Sequence, residues 1–384
     1  MTDRDGRSTV LFVVLAAGLG GSTRSVATVL AHLDPVRVRR VLSTPPYGRF
    51  LDLVNERGLA DALVPLPANR GRFRRISRVW AAWRVAAWLW SNRPIAAIHV
   101  NGPEELNVVA LAARVFRIRV VVWSHARGVS PWMRRLSWLW PHVLRDVTFA
   151  AVSPLARQVL VDGGLARTGD VEIVPNPIDP EDVVGVPDGH DGLVVGYLGS
   201  DAAYKGFQFL PAIIEAVEHL PVRWLVFADQ HPSSDSVVWE KLNRLPAETV
   251  TVVGKVDNVR EAYARCDVVL CPSLQESFCR VAAEAMLNGL PVVASDLEPL
   301  RDLLGEEEAG LLFPPGDVHA AAAMFGRLAA DEHLMKRLGE RGRERAGVFD
   351  PSAVTRRLAA LYSVSIAPAS PSSSGEDAIP VSSE

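Results

Sequence analysis

Residues 272–296, PSLQESFCRVAAEAMLNGLPVVASD, decide the fold, because they join a strand end, a loop and a helix that carry two regularly spaced acids. The apolar run 268–271 just before them is typical of a buried parallel strand. Glu276 lies in the loop, and Glu284 lies about two helical turns further along. Both carboxylates can therefore reach the carboxyl edge of a parallel sheet, where open α/β folds bind ligands, and each can accept hydrogen bonds from paired hydroxyl groups.

Outward from this stretch, short β-branched runs alternate with helix-length segments, which predicts parallel sheets built from βαβ units. At roughly 150 residues per domain, the 384 residues predict two domains. We therefore predict the α/β class, with two Rossmann-like doubly wound domains facing across a cleft, at residues 1–182 and 192–366. A linker rich in Pro, Gly and Asp is expected at 183–191, and a disordered tail rich in Pro and Ser at 367–384.

Strands are predicted wherever a short run is apolar and β-branched. In the first domain these runs are 10–15, 38–43, 96–100, 120–123, 149–152 and 172–174. In the second domain they are 193–197, 223–228, 250–253, 268–271, 291–294 and 311–313. Helices at 318–330 and 351–363 are expected to complete the second domain.

The composition is that of a globular protein, with 48% hydrophobic and 22% charged residues. No apolar run reaches the roughly 20 residues that span a bilayer. Arg4 and Arg7 before the apolar run 10–17 imitate a secretion signal, but the run leads directly into a Gly turn, so we interpret it as the first strand. We predict a reducing, cytoplasmic environment and no structural metal, because zinc-site spacing is missing from the three cysteines, Cys266, Cys271 and Cys279.

The net charge of −3 is unevenly distributed along the chain. Residues 1–185 carry 24 Arg, no Lys and 15 acidic residues, which is a net charge of +9, and the remaining residues carry −12. A basic half is compatible with an anionic lipid, a nucleic acid or an acidic substrate, and equally with a plain preference for Arg over Lys. We predict no nucleic-acid partner.

Two further loops follow predicted strands. Residues 194–210, VVGYLGSDAAYKGFQFL, predict a strand, a Gly turn and a helix that starts near Lys205. A helix N-terminus and an ammonium group both attract negative charge, so this region predicts a diphosphate site. Residues 17–22, AGLGGS, form a Gly-rich loop that allows close backbone approach to a ligand. The spacing Gly18-x-Gly20-x-x-Thr23 lacks the last Gly of a dinucleotide-binding fingerprint.

Segment 272–296, which ends with NGLPVV at 288–293, resembles the Glu-x7-Glu motif of the family 4 glycosyltransferases of the GT-B fold. The resemblance covers about residues 10–360, strongly in the second half and weakly in the first. It implies that Glu276 contacts the transferred sugar and that Glu284 binds the ribose hydroxyls of a nucleotide. It also implies that the donor lies near the N–H groups at the helix start, around Ser277, Phe278 and Cys279.

The same resemblance assigns the donor diphosphate to Lys205 and to an Arg at the position that Ser200 occupies here. One cation is therefore missing. Either Arg280 substitutes for it, or catalysis is weak, or the protein binds a donor without turning it over. The resemblance further implies that Gly20 and Gly21 face the donor phosphates and the acceptor across the cleft.

His125, in WSHARG after a predicted strand, lies where the resemblance implies a cleft histidine that hydrogen-bonds the donor sugar or the acceptor. A purely structural histidine is the alternative. We predict that Glu276, His125 and Lys205 are catalytic, that the donor is a nucleoside diphosphate sugar, and that there is no cofactor. Because the only Asp-x-Asp pair, Asp3 and Asp5, lies at the N-terminus, metal-independent transfer is predicted. Retention of the anomeric configuration is implied by the resemblance alone.

Two segments rich in Trp and Arg, 72–90 and 131–146, suit a peripheral membrane contact, because Trp sits at headgroup level and Arg meets anionic lipid. Trp80, Trp83 and Trp90 share one side of the predicted helix. Buried Trp with solvated Arg is an equally good interpretation, and an acceptor or partner surface is a third.

We predict a glycosyltransferase, and more narrowly a hexosyltransferase that uses UDP or GDP sugars. Its acceptor is expected to be a sugar, lipid-linked or small-molecule hydroxyl in cell-envelope or exopolysaccharide synthesis, and base contacts are expected from the backbone around 254–256. Two other functions stay open. A non-catalytic nucleotide-sugar binder or partner subunit is motivated by Ser200, and an NAD(P) oxidoreductase is disfavoured by the incomplete fingerprint.

Overall fold

The computed structural model describes residues 5–67, 74–131, 146–179, 192–229, 236–254, 256, 259–306 and 308–364. Within these residues the strands form two separate parallel sheets with helices between them. The predicted class, two Rossmann-like α/β domains, is therefore confirmed. The predicted linker at 183–191 and the predicted tail at 367–384 lie outside the described residues, as does most of the segment 131–146.

The first sheet has the strand order β3-β2-β1-β4-β5-β6-β7. Its strands are β1 Ser8–Val13, β2 Val38–Thr44, β3 Ala62–Pro65, β4 Ala97–Val100, β5 Arg119–Ser124, β6 Val147–Ala151 and β7 Val171–Ile173. All six predicted strands are present, and β3 was missed. It is a short edge strand in which only Val64 is buried, so its sequence lacks the continuous apolar run of the central strands.

The second sheet has the order β10-β9-β8-β11-β12-β13. Its strands are β8 Leu193–Ser200, β9 Val222–Asp229, β10 Val250–Val252, β11 Val268–Cys271, β12 Val292–Ser295 and β13 Gly310–Phe313. Each matches a predicted run within three residues at its ends. In both sheets the strand order reverses at one place, between β1 and β4 and between β8 and β11, and such reversals open a crevice at the carboxyl edge.

Helices cover the faces of the two sheets. In the first half they are α1 Gly21–His32, α2 Arg49–Glu56, α3 Arg74–Ser91, α4 Leu106–Phe116 and α5 Pro154–Asp162. In the second half they are α6 Leu210–Ala216, α7 Ser236–Arg244, α8 Val259–Tyr263, α9 Arg280–Leu287, α10 Glu298–Leu304, α11 Val318–Ala330, α12 Glu332–Ala346 and α13 Pro351–Tyr362. None of the helices in the described ranges is both long enough and apolar enough to cross a membrane.

The cores follow from strands that are apolar on both sides. The residues of β11 and β12 are buried without exception, which is typical of parallel strands covered by helices on both faces. On one face of the second sheet, Trp224 meets Phe325 of α11 edge to face, with ring centroids 5.1 Å apart. The other face is continuous with the core of the first domain, so the two domains share packed apolar surface.

The last described helix, α13, lies on a different domain from the one that was expected. It was expected to complete the second domain, as α11 does, but it packs against α1, β4 and β5 of the first domain. Its buried side, which includes Leu358 and Tyr362, supplies the apolar cover of that sheet. The Tyr362 hydroxyl lies 2.8 Å from Nδ1 of the buried His99 on β4. The chain therefore crosses back to the first domain at its end.

Candidate active site in the interdomain cleft

A cavity of about 470 Å³ lies between the two domains, at the carboxyl edges of both sheets. This volume is within the usual range for small-molecule sites. Every predicted site residue lines the cavity: Gly20, Gly21, His125, Ser200, Lys205, Glu276, Ser277, Phe278, Cys279, Arg280 and Glu284. Val256, from the loop proposed for base contacts, lines it as well. The fold thus gathers into one place residues that are up to 264 positions apart in the sequence.

Lys205 and Glu276 form the centre of the second-domain wall. Nζ of Lys205 donates to Oε1 of Glu276 at 2.6 Å, and Ser273 Oγ donates to the same oxygen at 2.9 Å. Burial alone would lower the pKa of Lys205, but the Glu276 carboxylate outweighs it and raises this pKa above its ordinary value. Lys205 is therefore charged at neutral pH.

The loop that carries Lys205 and the loop that carries Glu276 are joined by a backbone hydrogen bond. The Leu274 N–H donates to the Tyr204 carbonyl oxygen at 2.8 Å. Gly206 has φ of +74°, and a Cβ at this position would overlap the carbonyl oxygen of Pro272. Only glycine meets both demands, so Gly206 lets the loop that carries Lys205 lie against the loop that carries Glu276.

The helix that was expected to start near Lys205 is not formed there. Residues Ala203–Lys205 and Phe207–Phe209 form two short 3₁₀ turns, and the α-helix α6 begins only at Leu210. The left-handed conformation of Gly206 breaks the helical path between the two turns. Lys205 consequently offers its ammonium group without a helix N-terminus behind it. The helices that do begin at the cavity are α9, at Arg280, and α1, at Gly21.

Glu284 on α9 is held by two donors. The Tyr263 hydroxyl donates to Oε2 at 2.7 Å, and Nε of Arg280 donates to Oε1 at 2.6 Å. Arg280 also donates to the carbonyl oxygen of Pro177 at 2.8 Å and to Ser25 Oγ at 3.2 Å. Arg280 therefore orients Glu284 and joins the two domains, and its guanidinium is already committed to protein partners.

His125 lies in the first-domain wall just after β5. Its ring packs edge to face against Trp123, with centroids 4.6 Å apart, and its Nε2 has no hydrogen-bond partner among the described residues. Burial, and to a smaller extent the charge of Arg280, lower its pKa to about 3. The ring is therefore neutral at physiological pH. It can donate or accept a hydrogen bond to a ligand but carries no charge.

The Gly-rich loop keeps space open in front of His125. Gly20 precedes α1 with φ of −106°, and a Cβ added there would meet nothing within 4 Å. The N–H of Gly20 donates to Thr23 Oγ1 at 2.8 Å, which holds the loop in place. The protein itself therefore does not require glycine at 20, and its absent side chain leaves room for a ligand to approach the backbone.

Sequence reasoning missed other residues in the same cavity. Asn176 lines the cavity and is buried, and its Oδ1 has no hydrogen-bond partner among the described residues. In this segment only the strand at 172–174 was predicted. Arg24 and Arg127 also line the cavity, from α1 and from the loop after His125. The guanidinium of Arg127 lies 4.1 Å from the ring centroid of Tyr204. No local pattern marks these side chains, because the packing of the fold, and not their neighbours in the sequence, brings them to the cavity.

Comparison with known proteins agrees with this geometry. The family described as Glycosyltransferase Family 4 matches residues 19–182, and that described as Glycosyl transferases group 1 matches residues 186–345. Phosphatidyl-myo-inositol mannosyltransferase of Mycobacterium tuberculosis is 30% identical over 315 residues, which are 78% of this chain and 81% of that protein. The same-named protein of Mycobacterium leprae is 26% identical over 369 residues, 89% of this chain and 92% of that protein.

Solved structures share the fold. Anabaena Alr3699/HepE in complex with UDP and glucose superposes with a TM-score of 0.76 at 20% identity, covering 93% of this chain and 100% of that one. Sucrose-phosphate synthase from Thermosynechococcus elongatus gives a TM-score of 0.72, also at 20% identity, over 93% of this chain and 98% of that one. With both of its domains matched and a relative 30% identical over most of its length, the chain belongs to the family 4 glycosyltransferases of the GT-B fold and is an enzyme that transfers a sugar from a sugar nucleotide.

Proposed function

We propose that this glycosyltransferase moves a hexose from a UDP or GDP sugar to an acceptor hydroxyl, with retention of the anomeric configuration and without a metal ion. The observation that carries the proposal is the Lys205–Glu276 contact, which lines the same cavity as the Glu284–Arg280 pair. Glu284 is oriented to accept the ribose hydroxyls, and Glu276 to accept hydroxyls of the transferred sugar. The first domain holds the acceptor.

The chemistry follows from the charges at the cleft. As the bond from the anomeric carbon to the diphosphate breaks, its electron pair passes to the diphosphate, and negative charge grows there. Positioned donors at such a charge are worth roughly 3–4 kcal/mol each. Lys205 supplies one donor because its ammonium group can turn from Glu276 towards the diphosphate. Side-chain cations then neutralise the diphosphate charge, as a metal ion does in other transferases.

The acceptor oxygen bonds to the anomeric carbon and must lose its proton. His125, with a pKa of about 3, is too weak a base to hold that proton at neutral pH. The released diphosphate is the stronger base in the same cleft and takes up the proton. His125 then serves to orient the sugar or the acceptor through its unpaired Nε2.

A lipid-linked acceptor at the inner face of the cytoplasmic membrane is the acceptor we favour, as part of cell-envelope glycoconjugate synthesis. The names of the mycobacterial relatives, which are phosphatidyl-myo-inositol mannosyltransferases, support this class. The surface of the first domain adds support, since Trp80, Trp83 and Trp90 on α3 are each more than half exposed. Leu111 and Val115 are exposed on α4, which packs beside α3. Buried Trp was the alternative, and it does not describe these three side chains.

The donor is tested first. Thermal unfolding is measured with UDP, GDP and ADP, and sugar release is then followed from the matching nucleotide sugars. We expect one diphosphate to raise the midpoint and its sugar to be consumed, with loss of turnover in Glu276→Ala. Stabilisation without turnover would support the non-catalytic alternative instead. Stabilisation by NAD(P) alone would support an oxidoreductase, which the family assignment disfavours.

The membrane contact is tested separately by vesicle co-sedimentation. We expect the double change Trp80→Ser and Trp83→Ser to reduce binding to vesicles that contain anionic phospholipid, because both side chains are exposed on one helix. Sugar transfer to a water-soluble acceptor should not change. Equal vesicle binding by the variant and the native chain would contradict the contact.

A further inference from the structure

The cavity holds more cations than its acids can balance. Among the described residues that line it, the cations are Arg24, Arg127, Lys205 and Arg280. Lys205 is paired with Glu276 and Arg280 with Glu284. Neither Arg24 nor Arg127 forms an ion pair with a carboxylate of the described part of the chain. Two positive charges of the first domain therefore line the cleft without an acidic partner among the described residues.

Arg127 is the one connected with the centre of the site. Its guanidinium stacks on the ring of Tyr204 at 4.1 Å from the centroid, and Nζ of the adjacent Lys205 lies 5.6 Å from the same centroid. Two like charges beside one ring repel each other, and of the two only Lys205 is paired with Glu276, so an anion in contact with both is favoured. Arg24 lines the same cavity, but no described contact connects it with Lys205.

The described residues of the opposite wall add no unpaired cation. At the end of β8 the second domain presents Ser200, which is neutral. The remaining cation of that wall, Arg280, is occupied by Glu284, Pro177 and Ser25. Within the described residues, a diphosphate bound next to Lys205 would therefore meet in the second domain only cations that are already paired with carboxylates, against a charge of about −2 to −3 at neutral pH.

We propose that Arg127 of the first domain is the second phosphate-binding cation, held over Tyr204 so that it meets the leaving diphosphate opposite Lys205. This inference rests on the proposed function, because it assumes a nucleoside diphosphate donor. It goes further in assigning the missing charge to the other domain. The diphosphate site is then complete only when the two domains lie as close as they do here, and donor binding favours that arrangement.

The test compares Arg127→Ala, Arg127→Lys and the native chain by isothermal titration. The probes are the nucleoside diphosphate that stabilises the native protein and the corresponding monophosphate. Arg167→Ala is the matched control, since it removes an exposed arginine of the same domain that does not line the cavity. Thermal unfolding of each variant checks that the fold is intact.

We expect Arg127→Ala to weaken diphosphate binding by roughly tenfold or more, as for the loss of one charge-assisted hydrogen bond. Monophosphate binding should change by less than about twofold on the same scale. Arg127→Lys should recover part of the loss, and Arg167→Ala should bind as the native chain does. Diphosphate affinity in Arg127→Ala within twofold of native, or equal loss for both nucleotides, would overturn the assignment. If the native chain bound no nucleoside diphosphate, the proposed function would fail, and this inference with it.

Discussion

The two walls of the cleft are built differently. On the second-domain wall each acid is already matched to a cation, Glu276 to Lys205 at 2.6 Å and Glu284 to Arg280 at 2.6 Å. On the first-domain wall two buried polar atoms, Nε2 of His125 and Oδ1 of Asn176, have no hydrogen-bond partner among the described residues. One wall therefore holds its acids in paired positions, whereas the other keeps two neutral polar groups unpaired.

This contrast has an energetic reason. A buried carboxylate without a partner is costly, so the acids of the second wall need their cations whenever the donor is absent. A neutral imidazole or amide costs less to leave unpaired, and water can occupy the open cavity. The first wall can therefore stay open without loss of the fold. Variants that change one wall at a time test this contrast.

The largest effect is expected from Lys205→Ala on the second wall. It removes the cation that meets the diphosphate and leaves Glu276 buried with only Ser273 Oγ as a described side-chain donor. We expect kcat for sugar transfer to fall by about 10² to 10³, as when one donor to a developing charge is deleted. Steady-state kinetics with the matching nucleotide sugar measure this. The control is Lys241→Ala, which removes an exposed lysine on α7. Equal losses of kcat in the two variants would contradict the role of Lys205.

His125→Ala tests the first wall and should have the next largest effect. We expect kcat/KM to fall by about tenfold to a hundredfold, because a positioned hydrogen bond to the sugar or acceptor is lost, and His125→Gln should retain more activity. Binding of the free nucleoside diphosphate should be unchanged in both variants. Loss of nucleotide affinity would show instead that the first wall shapes the donor site before the ligand arrives.

The pH dependence of the native enzyme tests whether His125 is neutral. The pKa of His125 is lowered to about 3, so the ring stays neutral as the pH falls from 8 to 5. Its protonation would remove activity only as the pH approaches 3 from above. We therefore expect no acidic limb from this group between pH 5 and 8 when His125→Gln and the native chain are compared. A limb near pH 6 to 7 in the native profile alone would contradict a neutral His125.

A smaller effect is expected from Tyr263→Phe. The change deletes the donor to Oε2 of Glu284 but leaves Arg280 on Oε1. We expect a cost of about 1 kcal/mol in the free energy of unfolding, as for one hydrogen bond, and a few-fold loss of nucleotide affinity. Denaturant unfolding and nucleotide titration measure the two quantities. An unchanged affinity would mean that Glu284 needs only one donor to keep its position.

The smallest effect is expected on removal of divalent metal. If the cations of the two walls balance the diphosphate charge, sugar transfer in excess EDTA should stay within about twofold of the untreated rate, well below the effect of losing one donor. Restored activity on addition of Mg²⁺ or Mn²⁺, after loss in EDTA, would contradict metal-independent transfer. The measurement uses the native protein and needs no variant.

The sequence by itself determined the two α/β domains, because buried parallel strands must be apolar along their whole length and thus leave a legible pattern, as in 268–271 and 292–295. It also indicated that Glu276 and Glu284 lie together, since both belong to one short loop and helix, and both line the cavity. The short edge strand Ala62–Pro65 carries no such run, and it was missed.

Only the tertiary structure decided what joins the two domains. The helix Pro351–Tyr362 returns to the first sheet because its apolar side fits there, and no local pattern distinguishes one sheet from another. The stacking of Arg127 on Tyr204 and the contact of Arg280 with Pro177 likewise connect residues that are far apart in the chain. Local periodicity reports which residues are buried, whereas the partner of a charged side chain depends on how the domains pack.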